Sequence, residues 1–349
     1  MSSIIRSRAQ RLGPLGAVRG FISVLKEMSF DDVRDDAELS PSLIVLAADE
    51  ESARQLAQAI VGADSSATIQ ARTFDDPLTD AKQVDAVVVY DPERTGAFGR
   101  ARQRFQTESG VAPVFAFEGR APDDGEAISR LRRQLITRVA DRAVAFGRAC
   151  PALRPHAVKA VVDETAKANA QFALVSNIPS VIPIVGSLAA AGADFLVLTK
   201  NQVMMMFKLA AIHGRDLHNQ WKIMQDLAPV VGAGLFWRTI AREAASFIPL
   251  AAGTIPKVAI AYAGTLSVGR AADYYYRTNR KPSRSQIQGY YKQAAEAVSK
   301  LPLPGKNGKT SAGGEADAIE TNRSGQDERS SQSGGGESAA SSDQQTNRE

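Results

Sequence analysis

Three acidic residues follow the first strongly apolar stretch of the chain, where nucleotide-binding proteins often carry glycines. Residues 42–63 read SLIVLAADEESARQLAQAIVGA and predict a strand running into a helix, with Asp49, Glu50 and Glu51 at the junction. A Walker A loop needs G-x-x-x-x-G-K-S/T, because glycine lets several backbone amides converge on a phosphate. No glycine or lysine lies between Leu43 and Ile60. The junction therefore predicts no phosphate-binding loop.

Two later strand ends also lack the residues that GTP-binding proteins use. After the apolar run AVVVY, Gly96 follows Asp91 two places too late for a D-x-x-G loop, which would bind magnesium and the γ-phosphate. After VFAF, Glu118, Gly119 and Arg120 replace the N-K-x-D motif that recognises guanine. The layout resembles a small GTPase-like sheet without its chemistry, so we expect no enzyme activity, no cofactor and no resident metal.

The same carboxylates permit a second interpretation. Receiver-like domains hold an acidic pair after the first strand and a phospho-accepting aspartate after the third. Asp49, Glu50 and Asp91 would fill those roles, with magnesium between them. No lysine directly follows the VAPVFAF strand, however, and solvated carboxylates at loop ends are the simpler explanation. A receiver-like or unconventional nucleotide switch stays as the alternative function.

Length and composition restrict the class of protein. The 349 residues are 44% hydrophobic, enough for two domains plus tails. A net charge of +4 is too weak to indicate nucleic acid as a partner. Cys150 is the only cysteine, so no intrachain disulfide forms and a reducing compartment is expected. The N-terminus lacks the apolar run of a secretory signal, so we expect the bulk of the chain to start in the cytoplasm.

Composition and periodicity predict four regions along the chain. Residues 1–40 form a basic arm and a helix, and residues 41–150 form a GTPase-like α/β domain without a P-loop. Residues 151–300 form an all-α, membrane-associated domain, and residues 301–349 form a disordered tail. Within the second region, residues 124–150 predict an Arg-rich helix, whose charged face is either solvated or attracted to anionic lipid.

Two long apolar segments in the C-terminal half are the basis of the membrane prediction. Residues 172–198 and 247–269 each exceed the roughly 20 apolar residues that a bilayer crossing needs. Asp194 and Lys257 interrupt them, and so do several prolines, which membrane helices tolerate better than soluble ones. Half-inserted hairpins and a buried soluble bundle remain alternatives to full spans. A shorter segment, 227–237, suits a re-entrant or core position.

The stretch between these segments is rich in methionine and contains two histidines. Met204, Met205, Met206 and Phe207 predict core packing rather than a recognition groove. His213 and His218 are expected at a helix end and on the surface rather than on a metal.

The order of motifs in this half resembles a known bacterial family. The stretches NIPSVIPIVGS, GADFLVLTKNQVMMMFKLAAIHG and FIPLAAGTIPKVAIAYAGTLSVGRAADYYY are similar to the YcjF-like domain of unknown function. Domains of that family are membrane-associated and often follow a GTPase domain. The resemblance implies both properties for this chain. The matching positions are Asn177, Pro179, Pro183, Gly186, Asp194, Asn201, Gln202, Met206, His213, Gly214, Pro249, Gly264, Gly269 and Tyr275.

The sequence thus predicts a non-catalytic, membrane-associated scaffold or interaction protein with a pseudo-GTPase domain. Its expected partners are membrane lipid and a protein whose identity the sequence does not give, with no nucleic acid. Basic flanks around the apolar segments place it at the inner (cytoplasmic) membrane, with the α/β domain and both termini cytoplasmic. A soluble helical binding module is the third possible function.

Overall fold

Four parallel strands form the sheet that the alternating apolar and helical stretches predict. In the computed structural model, β1 (Ser42–Ala47) pairs with β2 (Thr68–Thr73) on one side and with β3 (Ala86–Val89) on the other. β4 (Val114–Ala116) pairs with β3, so the strand order is β2-β1-β3-β4. β1 and β3 are buried along their whole length, as their continuous apolar sequences predict. The α/β class of this region is confirmed.

The structure describes residues 28–76, 84–106, 112–175, 187–219, 222–223 and 254–299. Residues 1–27 of the predicted basic arm and helix (1–40) and the whole predicted disordered tail (301–349) therefore lie outside the described residues. Contacts within the chain group the residues up to Lys300 into one compact unit.

Helices connect the strands and cover the sheet. α1 (Asp31–Glu38) precedes β1, α2 (Glu50–Val61) connects β1 to β2, and α3 (Ala97–Gln106) connects β3 to β4. α4 (Gly125–Arg138) follows β4. One face of the sheet packs against α3 in a continuous apolar core. This core contains Ile44, Leu46, Val87, Val89, Ala97, Ala101 and Phe105.

The predicted Arg-rich helix over 124–150 is wrong as a single element, because the chain bends after Val139. α4 ends there, a 3₁₀ turn follows (Ala140–Arg142), and α5 (Ala143–Ala149) begins. The bend lets α5 bury almost its whole surface among the later helices. Arg132 is not simply solvated. Arg132 donates to the Ala59 and Ile60 carbonyls at the end of α2, at 2.6 and 2.9 Å.

The C-terminal half is helical in its described part. α6 (Arg154–Val175), α7 (Ser187–Ile212), α8 (Thr254–Thr278) and α9 (Arg284–Ser299) follow in order. α6 packs against both α7 and α8, and α9 packs against α8. Asn169 contacts Thr265, whereas Val162, earlier in α6, lies against Gly269, later in α8. α6 and α8 are therefore antiparallel.

The methionine-rich stretch lies in the core, as predicted. Met205, Met206 and Phe207 on α7 are each at most 1% exposed. The Phe207 ring stacks on the Phe30 ring, with centroids 3.8 Å apart and planes 16° from parallel. Phe30 immediately precedes α1, and α1 packs against α5 and α7. This N-terminal helix thereby joins the helical half of the unit.

None of the helices in the described ranges combines the length and the apolarity of a membrane span. Both predicted spans fall only partly within those ranges, because residues 176–186 and 247–253 lie outside them. The shorter apolar segment at 227–237 lies wholly outside. Membrane association therefore stays a prediction.

Candidate functional site

The carboxyl edge of the sheet is the place where a ligand site would be expected. β1 has β2 on one side and β3 on the other. The connections from β1 and from β3 therefore run in opposite directions along the sheet, and the switch point lies between these two strands. Open α/β sheets bind ligands at this point, outside the carboxyl ends of the strands. Asp49 and Glu50 follow β1, and Asp91 follows β3. The sequence-predicted carboxylates therefore do follow the two central strands.

Asp49 caps the helix that follows β1. Its Oδ1 accepts a hydrogen bond from the Ser52 backbone N–H at 2.8 Å. The first amides of a helix have no partner within it, and an aspartate at the N-cap satisfies one of them. This hydrogen bond from Ser52 holds the pKa of Asp49 below its usual value. The neighbouring Glu50 carboxylate is turned to Arg54, 2.8 Å away.

Asp91 closes the loop between β3 and α3. Its Oδ1 accepts from the Thr95 N–H at 2.9 Å, and its Oδ2 accepts from the N–H of Ala97, the first residue of α3, at 3.1 Å. Arg94 and Gly96 both have positive φ, at 56° and 84°, and this turns the loop back onto the carboxylate. Desolvation raises the pKa of Asp91, but the hydrogen bonds from Thr95 and Ala97 outweigh it, so the pKa is lowered overall.

A third aspartate at the same edge was missed by the sequence reasoning. Asp124 precedes α4 and accepts from the Ala127 N–H through Oδ1 at 3.1 Å. Its Oδ2 accepts from the Arg120 N–H at 3.2 Å. Hydrogen bonds from Ala127 and Arg120 lower its pKa. The signal was available, because an aspartate directly before an amphipathic run is a typical N-cap.

Each of the three helices that begin at this edge in the described part of the chain thus has an aspartate that accepts from an amide of its first turn. Helix N-termini bind phosphate through free N–H groups and the positive end of the helix dipole. Here one such N–H group in each helix donates to Asp49, Asp91 or Asp124. A phosphate would have to displace a carboxylate and then lie close to its negative charge. The geometry favours helix capping over anion binding.

The carboxylates of the receiver-like alternative do not form a metal-binding group. Within the described ranges, no three His, Cys, Asp or Glu side chains converge as metal ligands would. Asp49 and Asp91 accept hydrogen bonds from backbone amides, and Glu50 pairs with Arg54. The structure therefore does not bring the three predicted ligands together around one ion.

The family-motif positions fall partly outside the described residues. Those outside are Asn177, Pro179, Pro183, Gly186 and Pro249. Asp194 lies on α7, and Gly264 and Tyr275 lie on α8. Gln202 and Met206 are buried on α7, at 7% and 1% exposure.

Asn201 belongs to a polar network inside the helical bundle. Its Nδ2 donates to Asn169 Oδ1 at 2.8 Å, and Asn169 Nδ2 donates to Thr265 Oγ1 at 2.9 Å. Asn169 and Thr265 are almost fully buried, and the network links α6, α7 and α8. Buried polar groups are tolerated only with partners, so the three residues fix the relative register of these helices. The sequence indicated Asn201 but neither Asn169 nor Thr265.

The two histidines lie where the sequence placed them. His213 directly follows α7, and its Nε2 is 2.9 Å from Asp273 Oδ1 on α8. Its ring stacks on Tyr276, with centroids 5.8 Å apart. His218 is exposed on the surface, 3.8 Å from the Glu38 carboxylate.

Gly269 and Gly214 have different reasons to be glycine. A Cβ at Gly269 would lie 2.6 Å from both methyl groups of Val162, so the residue permits α6 and α8 to approach closely. Gly214 has a φ of +73°, and its N–H donates to the Ala211 carbonyl, which ends α7. Both positions of the predicted family motif therefore have structural roles.

Comparison with known proteins adds no relative. No protein-family model matches the chain, and no curated protein or solved structure matches it. The resemblance to the YcjF-like family therefore stays a prediction.

Proposed function

We propose that the chain is a non-catalytic, membrane-associated interaction protein, in which a GTPase-like α/β domain has lost its nucleotide site. Its α/β part serves as a rigid platform, and its helical part associates with lipid. Partners bind its surface without being chemically changed.

The observation that carries the proposal is the closed carboxyl edge of the sheet. Asp49, Asp91 and Asp124 accept hydrogen bonds from the loop and helix amides that a phosphate-binding protein would leave free. Glu50 and Glu51 add negative charge at the same edge. Binding of GTP or ATP would require that these backbone amides were free and that the charge at this edge was positive.

Support for membrane association comes from the sequence. The apolar segments at 172–198 and 247–269 are long enough to enter a bilayer, either as spans or as half-inserted hairpins. The similarity to the YcjF-like family points in the same direction. In either arrangement, the basic flanks favour a cytoplasmic α/β domain.

Titration of the full-length protein with Mg²⁺-GTP and Mg²⁺-ATP by calorimetry tests the proposal. We expect no saturable heat for either nucleotide, because carboxylates accept from helix amides at the described strand-to-helix junctions. Saturable micromolar binding of either nucleotide by the wild type would contradict the proposal.

The receiver-like alternative has its own outcome in a parallel experiment. Incubation with phosphoramidate and Mg²⁺ would phosphorylate a receiver aspartate, and mass spectrometry would locate the added phosphate. We expect none on Asp91. Stoichiometric modification that Asp91→Asn removes would replace the proposed function with a phosphorylation switch.

A further inference from the structure

The turn between α8 and α9 presents an unusual density of positive charge. Residues 274–295 contain five Lys or Arg residues and no carboxylate. The side chains of Arg277, Arg280 and Lys281 are exposed, and among the described residues none of them has an acidic partner. We call residues 277–281 the basic turn. Its cations are available to a binding partner.

Hydrogen bonds at both ends hold the basic turn in one conformation. Asn279 has a φ of 54°, and its N–H donates to the Tyr275 carbonyl at 2.7 Å, which ends α8. Ser283 and Gln286 form a capping box at the start of α9. The Ser283 N–H donates to Gln286 Oε1 at 2.8 Å, and the Gln286 N–H donates to Ser283 Oγ at 3.2 Å.

Arg215 braces the turn from the neighbouring chain segment. Its Nη2 donates to the Tyr276 carbonyl at 3.2 Å and to Asn279 Oδ1 at 3.3 Å. Its guanidinium lies 5.7 Å from the centre of the Tyr276 ring. Arg148 in turn donates to the Arg215 carbonyl at 3.2 Å. A partner would therefore meet a preordered surface and lose little free energy in ordering it.

The nearby carboxylates Asp273 and Asp216 form no ion pair with the described cations of the basic turn. Asp273 is engaged with His213 at 2.9 Å, and Asp216 accepts from the His218 N–H at 2.9 Å. The exposed guanidinium groups remain able to bind carboxylates in the bidentate geometry that arginine favours.

The position of the turn favours a partner in water over the membrane itself. The second apolar segment ends at Gly269, eight residues before Arg277, but residues 263–269 of α8 are all buried within the protein. Beside α8, the α6 helix exposes Glu164 and Lys167, which require water.

The surroundings favour a protein partner over nucleic acid. Binding along a nucleic-acid backbone uses a long stripe of cations. Here the 215–218 segment leads to His218, which lies 3.8 Å from Glu38 at the end of α1. α1 itself carries Asp31, Asp32 and Asp35, so the neighbouring surface is negative. The positively charged surface is therefore short, and it suits a short acidic peptide better than a nucleic-acid backbone.

We propose that the basic turn is a docking surface for an acidic protein segment, meaning a short extended run rich in Asp and Glu. This inference rests on the proposed role as an interaction protein and specifies the chemistry of the partner.

Fluorescence anisotropy of the full-length protein with a labelled peptide of Glu and Asp residues tests this proposal. The variant Arg277→Ser/Arg280→Ser/Lys281→Ser is compared with Arg102→Ser/Arg133→Ser/Arg138→Ser, which removes equal charge from other exposed, unpaired arginines in the described part of the chain. We expect the basic-turn variant to bind about tenfold to a hundredfold more weakly, since it loses three exposed ion pairs with the peptide. The control variant should bind like the wild type. Added salt should weaken binding.

Several outcomes would overturn the proposal. Equal losses in the two variants would show that net charge alone attracts the peptide. If the wild type does not bind the peptide but binds anionic vesicles or RNA through the basic turn, the basic turn is a site for lipid or RNA instead. Unchanged melting curves confirm that the variants fold. If the triple variant does not fold, the single Lys281→Ser variant replaces it in the binding measurement. Membrane fractionation separates this test from the proposed function, because the basic-turn variant should fractionate like the wild type.

Discussion

At the scale of single residues, aspartate side chains take the place that a bound anion occupies in related folds. Asp49, Asp91 and Asp124 each satisfy backbone amides at a strand-to-helix junction. The sequence indicated the first and second of these and suggested phosphate exclusion or metal binding. Geometry was needed to show that they cap helices, because a carboxylate before a helix has the same sequence pattern in either role.

Replacement of Asp91 should destabilise the fold. Asp91→Ala removes the acceptor for the Thr95 and Ala97 amides. We expect a loss of about 1–2 kcal/mol, as for other helix-terminal caps, and a melting temperature lower by roughly 2–5 °C. Thermal denaturation, monitored by circular dichroism, measures the change in melting temperature. Asp64→Ala, at an exposed turn, is the matched control and should melt like the wild type.

The same three aspartates should make stability depend on pH in the acid range. Their pKa values are lowered in the folded state, so the stability they contribute is complete above the unfolded value, about 4. It is lost as the pH falls through the lower folded values. Urea denaturation at a series of pH values should show the free energy of unfolding falling below about pH 4. The triple Asp→Asn variant should show a shallower decline, and an unchanged slope would contradict the capping roles.

At the scale of elements, close approach and buried polar pairing organise the helical half. Periodicity predicted its helices, and the apolar runs predicted the four strands. The pairings that fix their arrangement were not predictable, because Asn169 and Thr265, or His213 and Asp273, lie far apart in sequence.

Two glycines in neighbouring helices should respond oppositely to alanine. A Cβ at Gly269 would lie 2.6 Å from the Val162 methyl groups, whereas nothing lies within 4 Å of one at Gly289. Gly269→Ala should therefore cost about 1–3 kcal/mol through overpacking. Gly289→Ala should stabilise the protein by up to about 1 kcal/mol through helix propensity. Chemical denaturation of both variants measures the difference, and equal effects would refute the close α6–α8 contact.

At the scale of the whole molecule, the compact unit up to Lys300 accounts for the fold described. Deletion of residues 303–349 should therefore leave the melting temperature and the distribution between membrane and soluble fractions unchanged. The segment is polar and contributes few apolar side chains to any core. A fall of several degrees in the melting temperature of the truncated protein would show that the segment is part of the folded structure.

Membrane association is the central claim of the proposed function, and cell fractionation tests it most directly. Tagged full-length protein is expressed in bacteria, and membranes are washed with high salt, with alkaline carbonate and then with detergent. We predict that the protein sediments with membranes, resists salt and carbonate, and is released by detergent, because its apolar segments enter the bilayer. Recovery in the soluble fraction without detergent would contradict the account and favour a soluble helical binding module.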